Sequence, residues 1–97
     1  LDPARVRFEV ADGLTGMADD TCDLVVCNPP FHQDHAVLDA LAWRLFSQAH
    51  RTLQAGGRLL VVGNRHLAHG RRLERLFGAS RRLETTAKFE VLEARRR

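Results

Sequence analysis

The sequence has no apolar run near the roughly 20 residues that a membrane-spanning helix needs, and it has only two cysteines and one lysine. Cys22 and Cys27 are too few for a disulfide framework, and no signal peptide is visible, so a reducing cytoplasm is favoured. The 15 basic residues, nearly all arginine, exceed the 12 acidic ones and give a formal charge of +3. This surplus permits an RNA partner without requiring one, because a solvated arginine-rich surface has the same composition.

The 97 residues suit one small domain or part of a larger one, with an ordinary 44% of hydrophobic residues. The sequence contains no internal repeat, low-complexity tract or linker. It begins with Leu1 and not with Met, so we expect a part of a longer protein.

Three segments have the patterns of β-strands. Residues 5–11 alternate between apolar and polar side chains, which predicts a strand with one wetter face that ends at Asp12-Gly13. Residues 24–27 and 59–62 are continuous apolar runs, typical of strands buried on both faces of a parallel sheet. The second of these runs ends at Gly63-Asn64.

Apolar residues at helical spacing predict a long amphipathic helix between these two runs: Leu38, Leu41, Ala42, Leu45, Phe46, Ala49 and Leu53. We expect Asp34 to cap its amino end and Gly56-Gly57 to stop it. A shorter helix carries Leu73, Leu76 and Phe77 on one face and ends at Gly78. We expect His66 and His69, which precede that face, to be surface or capping residues.

The last part of the sequence predicts two strands, near residues 81–85 and 88–94, joined by a tight turn at Thr86-Ala87. The order of elements is strand, strand, helix, strand, helix, strand, strand. Such alternation predicts an α/β fold with a mostly parallel sheet, helices on its faces and an antiparallel hairpin at its end.

The tetrapeptide Asn28-Pro29-Pro30-Phe31 follows the first buried strand, at the end of the sheet where open α/β folds bind ligands. Asn28 offers a side-chain carbonyl, and Pro29 fixes the backbone while keeping its own carbonyl acceptor. Two adjacent acceptors can hold both hydrogens of an NH2 group. Phe31 offers a flat face for stacking on a base. A proline-rich turn with Phe31 in the core is the structural alternative.

Residues 23–32 resemble motif IV of class I methyltransferases, which transfer a methyl group from S-adenosylmethionine to amino groups. The Phe31-His32 ending resembles the branch that makes N2-methylguanosine in ribosomal RNA. The similarity extends over almost the whole chain, through residues 32–36, Ala42-Trp43, residues 63–67 and residues 88–92. It is greatest to the large-subunit rRNA guanine-N2 methyltransferases, with the small-subunit enzymes as close relatives.

The resemblance implies a role for each matching residue. The expected catalytic residues are Asn28, Pro29 and Phe31. Asn28 and the Pro29 carbonyl would hold the target amine, and Phe31 would stack on the flipped base. The residues expected to contact the substrate are Pro30, Phe31, His32 and Arg65. The residues expected to line the S-adenosylmethionine site are Ala11, Asp12, Gly13 and Asn28.

The resemblance also implies a Rossmann-like sheet of which this chain, residues 1–97, is the C-terminal portion. The family's sheet has the strand order 3-2-1-4-5-7-6, and the strands of this chain would be its third through seventh. Two strands outside the chain would then lie between the third and the fourth. The glycine-rich cofactor loop would lie upstream of Leu1. We therefore expect the 97 residues alone to lack a complete cofactor site and to be inactive.

The chemistry of Asn28 and Pro29 fits other planar groups as well, such as adenine N6 or a protein glutamine. An alternative that is not an enzyme is a non-catalytic remnant that binds RNA. His32 and His35, with Cys27 nearby, are not a closed ligand set, so we predict no metal. We predict that the protein is cytoplasmic, that it binds ribosomal RNA and that it binds no membrane. The oligomeric state stays open.

Overall fold

A computed structural model describes residues 6–9, 18–30 and 34–97 of the chain. Within these ranges the elements are β1 (Val6–Glu9), β2 (Cys22–Cys27), α1 (His35–Thr52), β3 (Leu53–Asn64), α2 (His69–Phe77), β4 (Arg81–Thr85) and β5 (Phe89–Arg95). A single 3-10 turn, Arg65–Leu67, joins β3 to α2. The described strands form one sheet in the order β1-β2-β3-β5-β4.

The sheet is parallel from β1 through β3 and antiparallel at its other end. β2 pairs with β3 in parallel, and β5 pairs antiparallel with both β3 and β4. The predicted α/β fold with a closing antiparallel hairpin is thus confirmed. In the described part of the chain, no helix has the length and apolar character to cross a membrane.

Both helices lie on the same face of the described sheet and touch each other. The rings of His50 on α1 and Phe77 on α2 meet edge to face, with centroids 4.9 Å apart. The predicted apolar stripe of α1 is buried through Leu45 and Phe46, against a sheet whose buried residues include Val25 and Leu59. The core therefore forms between α1, α2 and the three central strands.

The predicted helix ends agree with the structure at two of three places. The Oδ1 of Asp34 accepts a hydrogen bond from the backbone N of Ala36 at 2.9 Å, which caps α1. Gly78, with φ of 91°, ends α2, where its backbone N donates to the carbonyl of Glu74 at 2.8 Å. Both caps satisfy backbone groups that a helix leaves without partners at its ends.

The prediction that Gly56-Gly57 stops α1 is wrong. The helix ends at Thr52, and Leu53 is already extended and belongs to β3. Gly56 and Gly57 lie inside β3, where the register against β2 jumps from Leu53 to Arg58. A bulge of this kind explains the glycines, because Gly56 has φ of +84° and a Cβ on Gly57 would lie 2.9 Å from a Leu53 methyl carbon.

The expected separation of the first two strands by two others is also wrong for this chain. β1 pairs directly with β2, with Val6 opposite Leu24 and Glu9 opposite Cys27. An unpaired edge of β2 would expose a row of backbone donors and acceptors, and β1 satisfies them. The order β2-β3-β5-β4 in the rest of the sheet agrees with the family order inferred from the resemblance.

Candidate active site at the carboxyl edge of the sheet

The carboxyl edge, where β2 and β3 end, carries the tetrapeptide singled out from the sequence. β2 stops at Cys27, which is paired with Val61 of β3. The next residue, Asn28, is exposed, whereas Pro29 is buried and Pro30 is half-buried. The two prolines cannot donate to a ladder, so the strand ends here. Asn28 is thus a polar group held at the surface by a buried, conformationally restricted neighbour.

The end of β3 lies beside this turn and is followed directly by Arg65. Because β2 and β3 are parallel neighbours, both ends face the same side of the molecule. The Oδ1 of Asn64 accepts a hydrogen bond from the backbone N of His66 at 2.9 Å and caps the 3-10 turn. Arg65, the first residue of that turn, is exposed. The structure therefore brings Arg65 to the same edge as Asn28.

A third segment, the hairpin turn of residues 86–88 between β4 and β5, reaches the same edge. Phe89, the first residue of β5, pairs with Asn64. The backbone N of Arg65 donates to the carbonyl of Lys88 at 2.9 Å, and Arg65 Nη1 lies 3.5 Å from the carbonyl of Thr86. The turn residues were not among the candidates, although a hairpin antiparallel to β3 must place its turn here.

Four of the candidate residues are thus described, and all four lie at the carboxyl edge: Asn28, Pro29, Pro30 and Arg65. The other candidates lie outside the described residues: Ala11, Asp12, Gly13, Phe31 and His32. Their assignments to the cofactor and the base stay predictions.

The expectation that His69 is a surface or capping residue is wrong, whereas His66 is exposed. Only 2% of His69 is exposed, and neither ring nitrogen has a hydrogen-bond partner among the described residues. Its ring meets Phe46 edge to face at 5.4 Å, and Gly63 leaves room for it. Burial, with the positive charge of Arg72 adding to it, lowers the pKa of His69 from 6.5 to about 4. His69 is therefore a neutral core residue behind the carboxyl edge.

Two other features of the described residues are a cavity and a pair of buried cysteines. A cavity of about 460 Å³ opens at the opposite edge of the sheet, lined by Phe77, Ser80 and Glu93 among others, and no candidate residue lines it. Cys22 and Cys27 are buried and are not joined in a disulfide. Within the described ranges, no group of three or more histidine, cysteine or acidic residues could hold a metal ion.

Comparison with known proteins shows clear relatives. The ribosomal RNA large subunit methyltransferase G of Yersinia pestis (strain Pestoides F) is 50% identical over 93 residues, and its Yersinia enterocolitica counterpart is equally similar. The solved structure of the T. thermophilus 16S rRNA N2 G1207 methyltransferase, in complex with AdoMet and guanosine, aligns with a TM-score of 0.70 and 36% identity.

These alignments cover the chain almost completely but only part of each relative. They span 96% of this chain and 24% of the Yersinia relatives, and 87% of this chain and 22% of the solved structure. The chain thus spans about a quarter of the length of the curated relatives it matches. The model of the methyltransferase small domain matches residues 2–93. The chain belongs to the methyltransferase small domain family.

Proposed function

We propose that the protein containing this chain transfers a methyl group from S-adenosylmethionine to the exocyclic N2 amine of a guanine in ribosomal RNA, with the large subunit favoured. The observation that carries the proposal is the exposed Asn28, held by buried Pro29 directly beyond β2. The names of the relatives, which are rRNA methyltransferases of the large and small subunits, support the same reaction and substrate.

The chain's own contribution is to hold the amine with two acceptors. A guanine amine is a poor nucleophile because its lone pair is conjugated with the ring. The Asn28 side-chain carbonyl and the Pro29 backbone carbonyl accept its two N–H groups and bend the nitrogen toward tetrahedral geometry. They also stabilise the positive charge that grows on it. This is positioning combined with preorganised electrostatics. It needs no strong general base, because the nitrogen becomes cationic as it gains the methyl group and then releases a proton to solvent.

S-adenosylmethionine supplies an electrophilic methyl group when it is bound. The described part of the site fits S-adenosylmethionine. The exposed Asn28 amide lies beyond the carboxyl end of a parallel strand, which is where such sheets bind nucleotides. We infer that Asp12, with Ala11 and Gly13, lies against the adenine. We also infer that the chain is the C-terminal portion of the catalytic domain and that the glycine-rich cofactor loop lies in another segment of the protein.

The substrate side of the proposal rests on residues next to the amine pair. Pro30 is half-buried beside Asn28, and we infer that Phe31 stacks on the base while His32 borders it. A base within a duplex must leave the stack to reach Asn28, or the target must be single-stranded. Arg65, exposed at the same edge, contacts a phosphate of the RNA. Cys22 and Cys27 are buried and are not joined in a disulfide, which fits a cytoplasmic protein.

The proposal is tested by replacing Asn28 in the full-length protein that contains this chain. Asn28→Ala removes one acceptor, and we expect kcat for methylation of rRNA to fall about 10²–10³-fold, as for the loss of one preorganised polar contact. Asn28→Asp keeps an oxygen acceptor and should lose less. Ser47→Ala, on the exposed side of α1, is the control and should leave kcat unchanged. Near-normal turnover of the Asn28→Ala variant would contradict the assigned role.

A further inference from the structure

Most of the arginines in the described strands and helices have a carboxylate partner, and a few basic residues do not. Ion pairs with carboxylates hold the guanidinium groups of Arg51, Arg58, Arg72, Arg81, Arg82, Arg95 and Arg96. Glu93 alone, which is buried, faces Arg58 at 3.0 Å and Arg81 at 3.4 Å. Much of the positive charge of the chain is therefore neutralised locally.

Arg65 and Lys88 differ from these residues, because neither forms an ion pair with a carboxylate among the described residues. Both side chains are exposed, and both lie at the carboxyl edge. Their backbones are joined by the 2.9 Å hydrogen bond from Arg65 N to the Lys88 carbonyl. Two exposed cationic residues are thus joined through their backbones at the edge of the sheet that also carries Asn28.

The backbone that carries Lys88 is fixed by the hairpin turn itself. The backbone N of Thr86 donates to the carbonyl of Phe89 at 2.8 Å and closes the turn. The Oγ1 of Thr86 accepts hydrogen bonds from the backbone N of Phe89 at 3.0 Å and of Lys88 at 3.4 Å. Such local side-chain bonds restrict a turn before a ligand arrives. Binding through Lys88 therefore costs little ordering of the backbone.

We propose that Arg65 and Lys88 form a phosphate-binding pair for the single-stranded RNA that flanks the target nucleotide. The proposal rests on the proposed function, which places an RNA base at Asn28. An arginine fork and a lysine point charge are both suited to phosphate oxygens, and neither reads the base sequence. The pair fixes the register of the strand while the Asn28 turn selects the amine.

The test uses the full-length protein and a labelled single-stranded oligonucleotide from large-subunit rRNA, with binding and methylation measured separately. Each phosphate contact makes the slope of log affinity against log salt concentration about 0.7 more negative. One contact therefore contributes about 5-fold in affinity at about 0.1 M salt relative to about 1 M salt. We expect Arg65→Gln and Lys88→Gln each to weaken binding about 5-fold and the double variant about 25-fold, with a shallower salt slope. The KM for RNA should rise accordingly.

Arg81→Gln is the matched control. This variant removes one positive charge from the end of β4 that is far from the hairpin turn. Arg81 pairs there with Glu93, and 71% of the Arg81 side chain is exposed. We expect its affinity and salt slope to match the wild type, and denaturation midpoints should show that all variants are folded. Affinity and slope unchanged in the double variant would overturn the pair, even if the wild-type protein methylates guanine. Weakened binding in the single and double variants, with Arg81→Gln unchanged, would support the pair even if no methyl group is transferred.

Discussion

Protonation of His69 should destabilise the fold as the pH falls. The unfolded chain binds this proton with a pKa near 6.5, whereas the folded chain binds it only near 4 because the ring is buried and close to Arg72. Between these values unfolding takes up a proton, so the free energy of unfolding falls with falling pH. The stabilisation is fully present above 6.5 and is lost progressively toward 4.

The size of the effect follows from the two pKa values. From about pH 7 to about pH 5 the linkage amounts to a loss of about 2 kcal/mol. Leucine has nearly the volume of histidine and cannot be protonated, so we expect His69→Leu to remove this loss. It also removes two buried nitrogens without described partners, and it should cost little at neutral pH.

The measurement is urea denaturation of the 97-residue chain at several pH values, followed by the fluorescence of Trp43, its only tryptophan. His50 contributes in the same direction, because burial and then Arg96 lower its pKa, so the difference between the wild type and His69→Leu isolates His69. Parallel stability curves for the wild type and His69→Leu would refute the reasoning.

Two substitutions test the packing and capping directly. A Cβ at Gly63 would lie 2.8 Å from the His69 Cδ2, so Gly63→Ala should cost about 1–3 kcal/mol through overpacking. An equal cost in a His69→Ala background would show that the ring is not the obstacle. Asp34→Ala removes the hydrogen bond to the Ala36 backbone and should cost about 1 kcal/mol in urea denaturation. Asp34→Asn keeps the acceptor, and an equal loss in both variants would argue against the cap.

Local patterns were sufficient to predict most elements of the fold. The apolar run of residues 24–27 lies within β2, and the stripe through Leu45 and Phe46 lies on the buried side of α1. The hairpin of β4 and β5 was predicted to within one residue at each strand. The helix was identified by apolar residues at helical spacing, whereas the run of residues 24–27 was assigned as a strand because it is short, continuous and followed by two prolines.

The errors arose where a neighbour elsewhere in the chain decides the structure. Residues 54–57 lack any strand pattern, yet they belong to β3 because Leu53 pairs with Cys22 before the bulge. The position of β1 beside β2 depends on which strands compete for that edge. The burial of His69 depends on the space left by Gly63 and on the ring of Phe46, and none of this is visible in the local sequence.

The candidate site was predictable where one motif follows one strand. Asn28, Pro29 and Pro30 could be placed from the apolar run that precedes them, and Arg65 from the strand before it. Lys88 was not predicted as a site residue, because its nearness to Arg65 depends on the antiparallel pairing of β3 with β5. Strand order therefore determines which separate turns form one edge.

The most direct test of the proposed reaction is to identify the methylated product. The full-length protein that contains this chain would be incubated with methyl-labelled S-adenosylmethionine and unmodified, deproteinised large-subunit rRNA, and the RNA would be digested to nucleosides. We predict that the label appears in N2-methylguanosine. Label in N6-methyladenosine, or in protein glutamine and not in rRNA, would keep Asn28 and Pro29 as an amine-binding pair but contradict guanine as the target.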